Sequence, residues 1–265
     1  MPQFNLFLVL EYLGTAYAGS QIQKNSITIQ ELLDKALSRL FAIKTVKTIF
    51  TGRTDSGVHA CAQGAAVLVP KAVPAAKVLA ALNSMLPPDI RVVSAEYKDL
   101  GFQPRYAAVS REYLYNIYCA EKPLLYLQDR VWHLAKHLNI GAMRKAAKLF
   151  KGRRDFSAFC AAGSAAQSKV RRVMVSELRA QKVPAWPGAR QKAEGLLLTY
   201  RIKAEGFLYH QVRNIAAALV DVGLGKLTTA DLQAIMSAGT RSALRSPTAP
   251  AAGLVLYAVK YGKRR

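Results

Sequence analysis

The chain has little cysteine, little acid and no long apolar run. Its 3 cysteines, Cys61, Cys119 and Cys160, are odd in number and far apart among 265 residues. They lack the spacing of a zinc site or a redox pair, which excludes a disulfide scaffold and fits ordinary thiols of a reducing compartment. No run reaches the roughly 18 apolar residues of a membrane span. Met1 leads straight into a strand-like segment, so neither a membrane segment nor a secretory leader is expected. Only 16 Asp and Glu stand against 38 Lys and Arg. With no clustered carboxylates for two metal ions and no His-rich motif, a metal-dependent nuclease is disfavoured.

What is present is hydrophobic residue enough for a core, at 51%, and a formal net charge of +22. Such a field calls for a polyanion, and a nucleic-acid backbone is the commonest one, because each neutralised phosphate releases condensed counterions. The basic residues run through segments that look folded (Arg144 to Arg154, Lys169 to Arg172, Arg241 to Arg245), with only a short tail from Lys263 to Arg265. A polybasic membrane anchor would be more concentrated.

Periodicity predicts a strand at 4–12 and a Gly-containing loop from Leu13 to Ser20. A helix carrying Ile29, Leu33, Leu37 and Phe41 on one face follows, opened by a Thr28/Glu31 capping box. Short strands at 46–50 and 63–69 flank a polar turn, Gly52 to His59. A helix near 74–83 leads into a connecting segment broken by Pro87 and Pro88. A domain boundary is expected near residue 108, dividing the chain into 1–108 and 109–265. Beyond it the pattern gives a strand at 111–119, a basic helix at 140–150 stopped by Gly152, and strands at 168–180 and 196–204 joined by a basic loop. Helices at 208–222 and 229–238, the second with a Thr228/Asp231 capping pattern, precede a closing strand at 253–261. The class that follows is α+β.

The densest polar cluster is TGRTDSGVHA, Thr51 to Ala60. Two glycines permit a tight backbone around Arg53, Thr54, Asp55 and Ser56. An arginine close to an aspartate keeps it ionised, lowering its pKa by about 1 to 3 units. On spacing alone the cluster equally fits a structural Asx turn with a surface ion pair, the commoner use of such residues. His59 reads as a brace for this loop.

GRTDSGVHA resembles the GRTDAGVHA signature of the TruA family of pseudouridine synthases. REYLY, Arg111 to Tyr115, resembles that family's R-x-Y-x-Y strand, and GFLYHQVRNI, Gly206 to Ile215, its V-R-N helix start. PAAGLVLYAVKY, Pro250 to Tyr261, resembles its terminal strand, and DFSAF and FQPRYAA also fit, in the family's order. The resemblance implies an α+β fold of two RNA-binding-like β-α-β-β halves that share a mixed, largely antiparallel sheet with flanking helices. It implies isomerisation of uridine to pseudouridine in the anticodon arm of tRNA, at about positions 38, 39 and 40, read by RNA shape. No metal and no cofactor are implied, and the setting is a cytoplasmic homodimer acting on tRNA, with no membrane and no DNA partner. Asp55 would be the nucleophile, at C1′ or C6, and Arg213 its ion-pair partner. Arg53 would hold the flipped base out. Tyr113 would stack on the uracil and assist removal of the C5 proton, although alternating tyrosines such as Tyr113 and Tyr115 also suit sheet packing. Arg105 and His210 would contact RNA, His210 alternatively capping its helix, and Leu254 or Leu256 would floor the pocket or be plain core. A non-catalytic RNA-binding protein of the same fold, or a synthase with another RNA target, are the alternatives.

Two positions depart from the family pattern. Gly19-Ser20-Gln21 stands where G-W-Q is common, and Gln103 stands where F-H-A-R often has histidine.

Overall fold

The structure, a computed structural model, describes residues 3–183 and 194–262. Most of the basic 182–195 loop and the Lys263 to Arg265 tail therefore lie outside the described residues. The chain groups into two compact units, one of residues up to Arg111 together with those from Val255 on, the other Glu112–Leu254.

In the first unit the elements run β1 (Phe4–Tyr12), α1 (Ile29–Phe41), β2 (Ile49–Phe50), β3 (His59–Val69), α2 (Ala75–Met85) and β4 (Ile90–Lys98), followed by the single turn α3 (Pro104–Ala107). Strand β1 lies between β4 and β3, antiparallel to both, with Leu8 opposite Ala65 and Ala95. Strand β2 pairs with β3 at Phe50 and Ala65, and β10 (Leu254–Tyr261) runs parallel to the start of β3, with Val255 opposite His59. This is the β-α-β-β-α-β course of a ferredoxin-like unit.

Strand β4 falls in the segment that the sequence suggested was a connection. Ile90 and Val92 are buried between exposed Arg91 and Val93, a period of two that the neighbouring prolines and alanines obscure. Its outer edge is closed by Asn83 of α2, whose amide donates to Val92 O (2.9 Å) and accepts from Val92 N (2.8 Å). Helix α1 begins as expected, with the Thr28 hydroxyl accepting from Glu31 N (3.3 Å). Only that half of the box is made, because the Glu31 carboxylate turns to Lys35 Nζ, 2.6 Å away.

The second unit contains β5 from Glu112 onward (the strand is Ala108–Cys119), β6 (Trp132–Leu134), α4 (Ile140–Lys148), β7 (Gly152–Asp155), β8 (Val170–Lys182), β9 (Leu196–Ala204), α5 (Gln211–Gly223) and α6 (Thr229–Ala238). Its sheet order is β5-β9-β8-β7, with β6 parallel to β5. Helix α4 is tied to β8 by Ser176, whose hydroxyl donates to Ala147 O (2.6 Å) and shares a bond with the Tyr200 hydroxyl (2.8 Å). The helix ends at Lys148, and Gly152, at φ +107°, opens β7 rather than merely stopping the helix. Strands β6 and β7 are too short to show a period in the sequence. The Thr228/Asp231 capping box of α6 is complete, with both reciprocal bonds made. Among the described residues no helix is long and apolar enough to cross a membrane.

Candidate functional site

The turn between β2 and β3 has little regular structure, yet its backbone is held from outside at Thr51, Gly52, Thr54 and Gly57. Thr51 N donates to Gly64 O (2.8 Å), the Thr51 hydroxyl bonds the Tyr261 hydroxyl (2.6 Å), and Thr51 O accepts from the Arg111 guanidinium (2.9 Å). Gly52 O accepts from the Gln63 amide (2.8 Å), which also reaches the Tyr12 hydroxyl (3.4 Å). Tyr12 bonds the Thr54 hydroxyl at 2.9 Å, and burial pushes the Tyr12 pKa up to about 12, so it stays a neutral phenol. Thr54 is then gripped at both backbone ends by Ser20: Thr54 N donates to Ser20 Oγ (2.8 Å) and Ser20 N donates to Thr54 O (3.1 Å). On the far side, Ser56 Oγ and Gly57 N both donate to Tyr17 O, and Gly14 N donates to His59 Nδ1 (3.0 Å). His59, buried at the start of β3, thus joins the turn to the loop after β1.

Two glycines make room for this arrangement. A Cβ on Gly19, which sits at φ +96°, would lie 2.6 Å from Thr54 O, and one on Gly14 would lie 2.0 Å from Val58 O. The loop backbone therefore lies directly against the turn, as only glycine allows. Within this frame Thr51, Thr54, Val58 and His59 are buried, Asp55 is part-exposed and Arg53 is exposed. A carboxylate on a turn fixed from both sides is presented at little further entropic cost, which is what a positioned nucleophile needs.

Arg105 is exposed on α3, and its carbonyl accepts from the same Arg111 nitrogen that holds Thr51 O. The remaining expected site residues, Leu256 excepted, belong to the second unit. Tyr113 is 9% exposed and packs edge-on against Phe207, with centroids 5.1 Å apart. Tyr115 is core, its hydroxyl donating to Pro250 O at 2.8 Å. Arg213 occupies the first turn of α5, half-buried, with Nε donating to Ala249 O (2.8 Å). The neighbouring Asn214 is fully buried; its amide donates to Phe159 O and accepts from the Thr248 hydroxyl, both at 2.8 Å. The helix starts at Gln211, three residues later than its apolar pattern suggested, because His210 takes φ 58° at the N-cap and makes no side-chain capping bond. Its ring lies on that of Tyr209, 3.9 Å between centroids. Leu254 and Leu256 are both buried. No cluster of three His, Cys, Asp or Glu suited to a metal ion occurs among the described residues.

A family model described as tRNA pseudouridine synthase matches residues 8–107 and 146–262. The chain belongs to the tRNA pseudouridine synthase family. It is 40% identical over 257 residues to tRNA pseudouridine synthase A of Geobacter sulfurreducens, covering 96% of this chain and 98% of that protein. The enzyme of the same name from Bacillus subtilis is 38% identical over 253 residues, covering 95% and 97%. Among solved structures, an archaeal box H/ACA sRNP Nop10-Cbf5 complex aligns over 81% of this chain and 44% of that one, at 11% identity and a TM-score of 0.32, too weak a likeness to add to the fold.

Within this synthase family chain the two matched segments contain Asp55, Arg53, Arg105, Arg213 and Leu254, while Tyr113 lies in the interval between them. The supports of the turn were not read from the sequence. Tyr12 and Gln63 carry no local signal of their role, since their partners in the turn lie 42 and 11 residues away, and Arg111 was marked only as the start of the REYLY strand, not as a support of a turn 60 residues away. Ser20 had a signal of a kind, as a departure from the family pattern, and it is fully buried at the point where the turn is held most closely.

Proposed function

We propose that this chain isomerises uridine to pseudouridine in tRNA, with Asp55 as the nucleophile. The observation that carries the reading is the turn itself: its backbone is bonded at Thr54 and at Gly57, on either side of Asp55, and Asp55 is only part-buried. Membership of the family gives the reaction class. In it the N1–C1′ bond of the target uridine breaks, the uracil rotates, a C5–C1′ bond forms, the C5 proton leaves and N1 gains one. Atoms and electrons balance without oxidant, metal or organic cofactor. The carboxylate of Asp55 supports attack at C1′ or at C6, and either requires it to be anionic.

Arg53, exposed two residues before Asp55, contacts the RNA and helps keep the base extruded, a step costing a few kcal/mol that phosphate contacts and stacking offset. Tyr113 is assigned to the uracil ring and its C5 proton, Arg213 to the charge of the reacting carboxylate, and Arg105, His210 and Leu254 to substrate contacts. The targets are uridines on the 3′ side of the anticodon stem-loop, at roughly positions 38 to 40, recognised by shape. The protein works in the cytoplasm as a homodimer, a state that sedimentation measures directly.

The test is pseudouridine formation on unmodified tRNA, mapped to the nucleotide, with binding followed in parallel. Wild type should modify the anticodon arm, whereas Asp55→Ala should bind tRNA but lose at least about a thousandfold in rate. Wild type that binds tRNA and forms no pseudouridine would leave only an RNA-binding protein of this fold, and product at other nucleotides would move the target.

A further inference from the structure

The single turn α3 displays an aromatic ring that the chemistry described so far does not use. Tyr106 is 68% exposed, in a chain whose other tyrosines include several that are fully buried. Its exposure comes from a rigid mount. Pro104 is buried beneath it, and Phe102 closes an aromatic cluster with Phe7 (5.1 Å) and Tyr261 (6.0 Å). Tyr106 N donates to Gln103 O (3.1 Å), fixing the turn from within. The Arg111 guanidinium then ties α3 to the Asp55 turn, one nitrogen donating to both Arg105 O (2.8 Å) and Thr51 O (2.9 Å). Tyr261 joins the same two places, since its ring packs in the Phe102 cluster and its hydroxyl bonds Thr51. The backbone that carries Tyr106 is therefore tied to Thr51, at the start of the turn that holds Asp55, and the ring stands exposed beside exposed Arg105 and Gln103.

An exposed aromatic next to an arginine, on a mount with little freedom left to lose, has the chemistry of a stacking platform for an unpaired nucleobase. The base contributes a π-face, the arginine meets the flanking phosphate, and ordering costs are small because the backbone is already fixed. We propose that Tyr106, with Arg105 beside it, stacks an unpaired base of the RNA substrate next to the nucleotide that reacts at Asp55. This rests on the reading of the chain as a tRNA pseudouridine synthase. It adds a contact that binds RNA through ring area rather than through charge, so it should be far less sensitive to salt than the arginine contacts.

The experiment compares wild type, Tyr106→Ala, Tyr106→Phe and Tyr106→Trp on an unmodified tRNA transcript and on an anticodon stem-loop RNA. Tyr106→Ala should raise Kd and KM by about tenfold or more, with kcat close to wild type, and Tyr106→Phe should retain binding. In Tyr106→Trp, RNA should quench tryptophan emission beyond the change seen in wild type. Because the ring is exposed, all three variants should melt like wild type. The platform is refuted if Tyr106→Ala binds and turns over like wild type, if Tyr106→Phe loses as much as Tyr106→Ala, or if the introduced tryptophan does not respond to RNA. A wild type that forms no pseudouridine in tRNA defeats the functional reading instead, and that arm is scored separately.

Discussion

In the first unit, the turn from Thr51 to His59 takes its shape from residues scattered between Tyr12 and Tyr261. In the second, Arg213 and Asn214 sit in the first turn of α5, where helical bonds set the backbone. There Asn214 reaches out to Phe159 O and Thr248, and Arg213 to Ala249 O. The turn is thus held by many modest bonds, each worth roughly 0.5–1.5 kcal/mol net. The helix start leans on two side chains, of which the fully buried Asn214 amide docks two neighbouring segments. A motif in a turn is supported by distant residues, and a motif on a helix carries most of its own support.

If that contrast is correct, Asn214→Ala should have the largest effect on stability, about 2–4 kcal/mol, because it leaves the fully buried Phe159 carbonyl without its donor and the part-buried Thr248 hydroxyl without its acceptor. Urea or thermal unfolding measures it. Ser20→Ala removes only the Oγ acceptor from Thr54 N, and the smaller cost of about 1–3 kcal/mol should fall together with a kcat loss of about tenfold. KM for tRNA should change little, since Ser20 is buried and acts through the position of Asp55. Equal loss of stability by both variants, or a Ser20→Ala enzyme with unchanged kcat, would erase the distinction between the two motifs.

The same contrast explains what the sequence could reveal. Helices α1, α4 and α6 and strands β1, β5, β8, β9 and β10 were legible because each carries its own period or cap, as Thr228 and Asp231 do for α6. Strand β4 was not, since two of its side chains alternate only within a proline- and alanine-rich stretch and its edge is satisfied by Asn83 from another element. Asp55 stood out through its motif, but the positions that hold it did not. A tyrosine in β1 and a glutamine in β3 look like any strand residues, and only their register places both beside the turn. Ser20 looked like a lost aromatic, whereas it supplies a hydroxyl that no aromatic could place on Thr54 N.

Two Asp–Thr pairs in the chain respond to pH in opposite senses. Asp231 caps α6 at the surface, and the Thr228 backbone N–H followed by its hydroxyl lowers its pKa, so its contribution is present at neutral pH and lost as acid protonates it. Asp34 is buried on α1, accepting from Thr48 N at 3.2 Å with the Thr48 hydroxyl close by, while among the described residues neither its second oxygen nor that hydroxyl makes a hydrogen bond of good geometry. Burial, only partly countered by Thr48, pushes the Asp34 pKa up from 3.8 to about 6. The sign is then reversed: the contribution is complete below pH 3.8 and is lost as pH rises through about 6, where a buried carboxylate must carry charge. Asparagine keeps the acceptor for Thr48 N, adds a donor for the Thr48 hydroxyl and never ionises. Asp34→Asn should therefore stabilise the protein by about 1–2 kcal/mol at pH 7 and by little at pH 4, so that Tm depends less on pH between them. Melting curves across that interval decide it, and a gain equal at both pH values would mean that packing, not ionisation, limits the site.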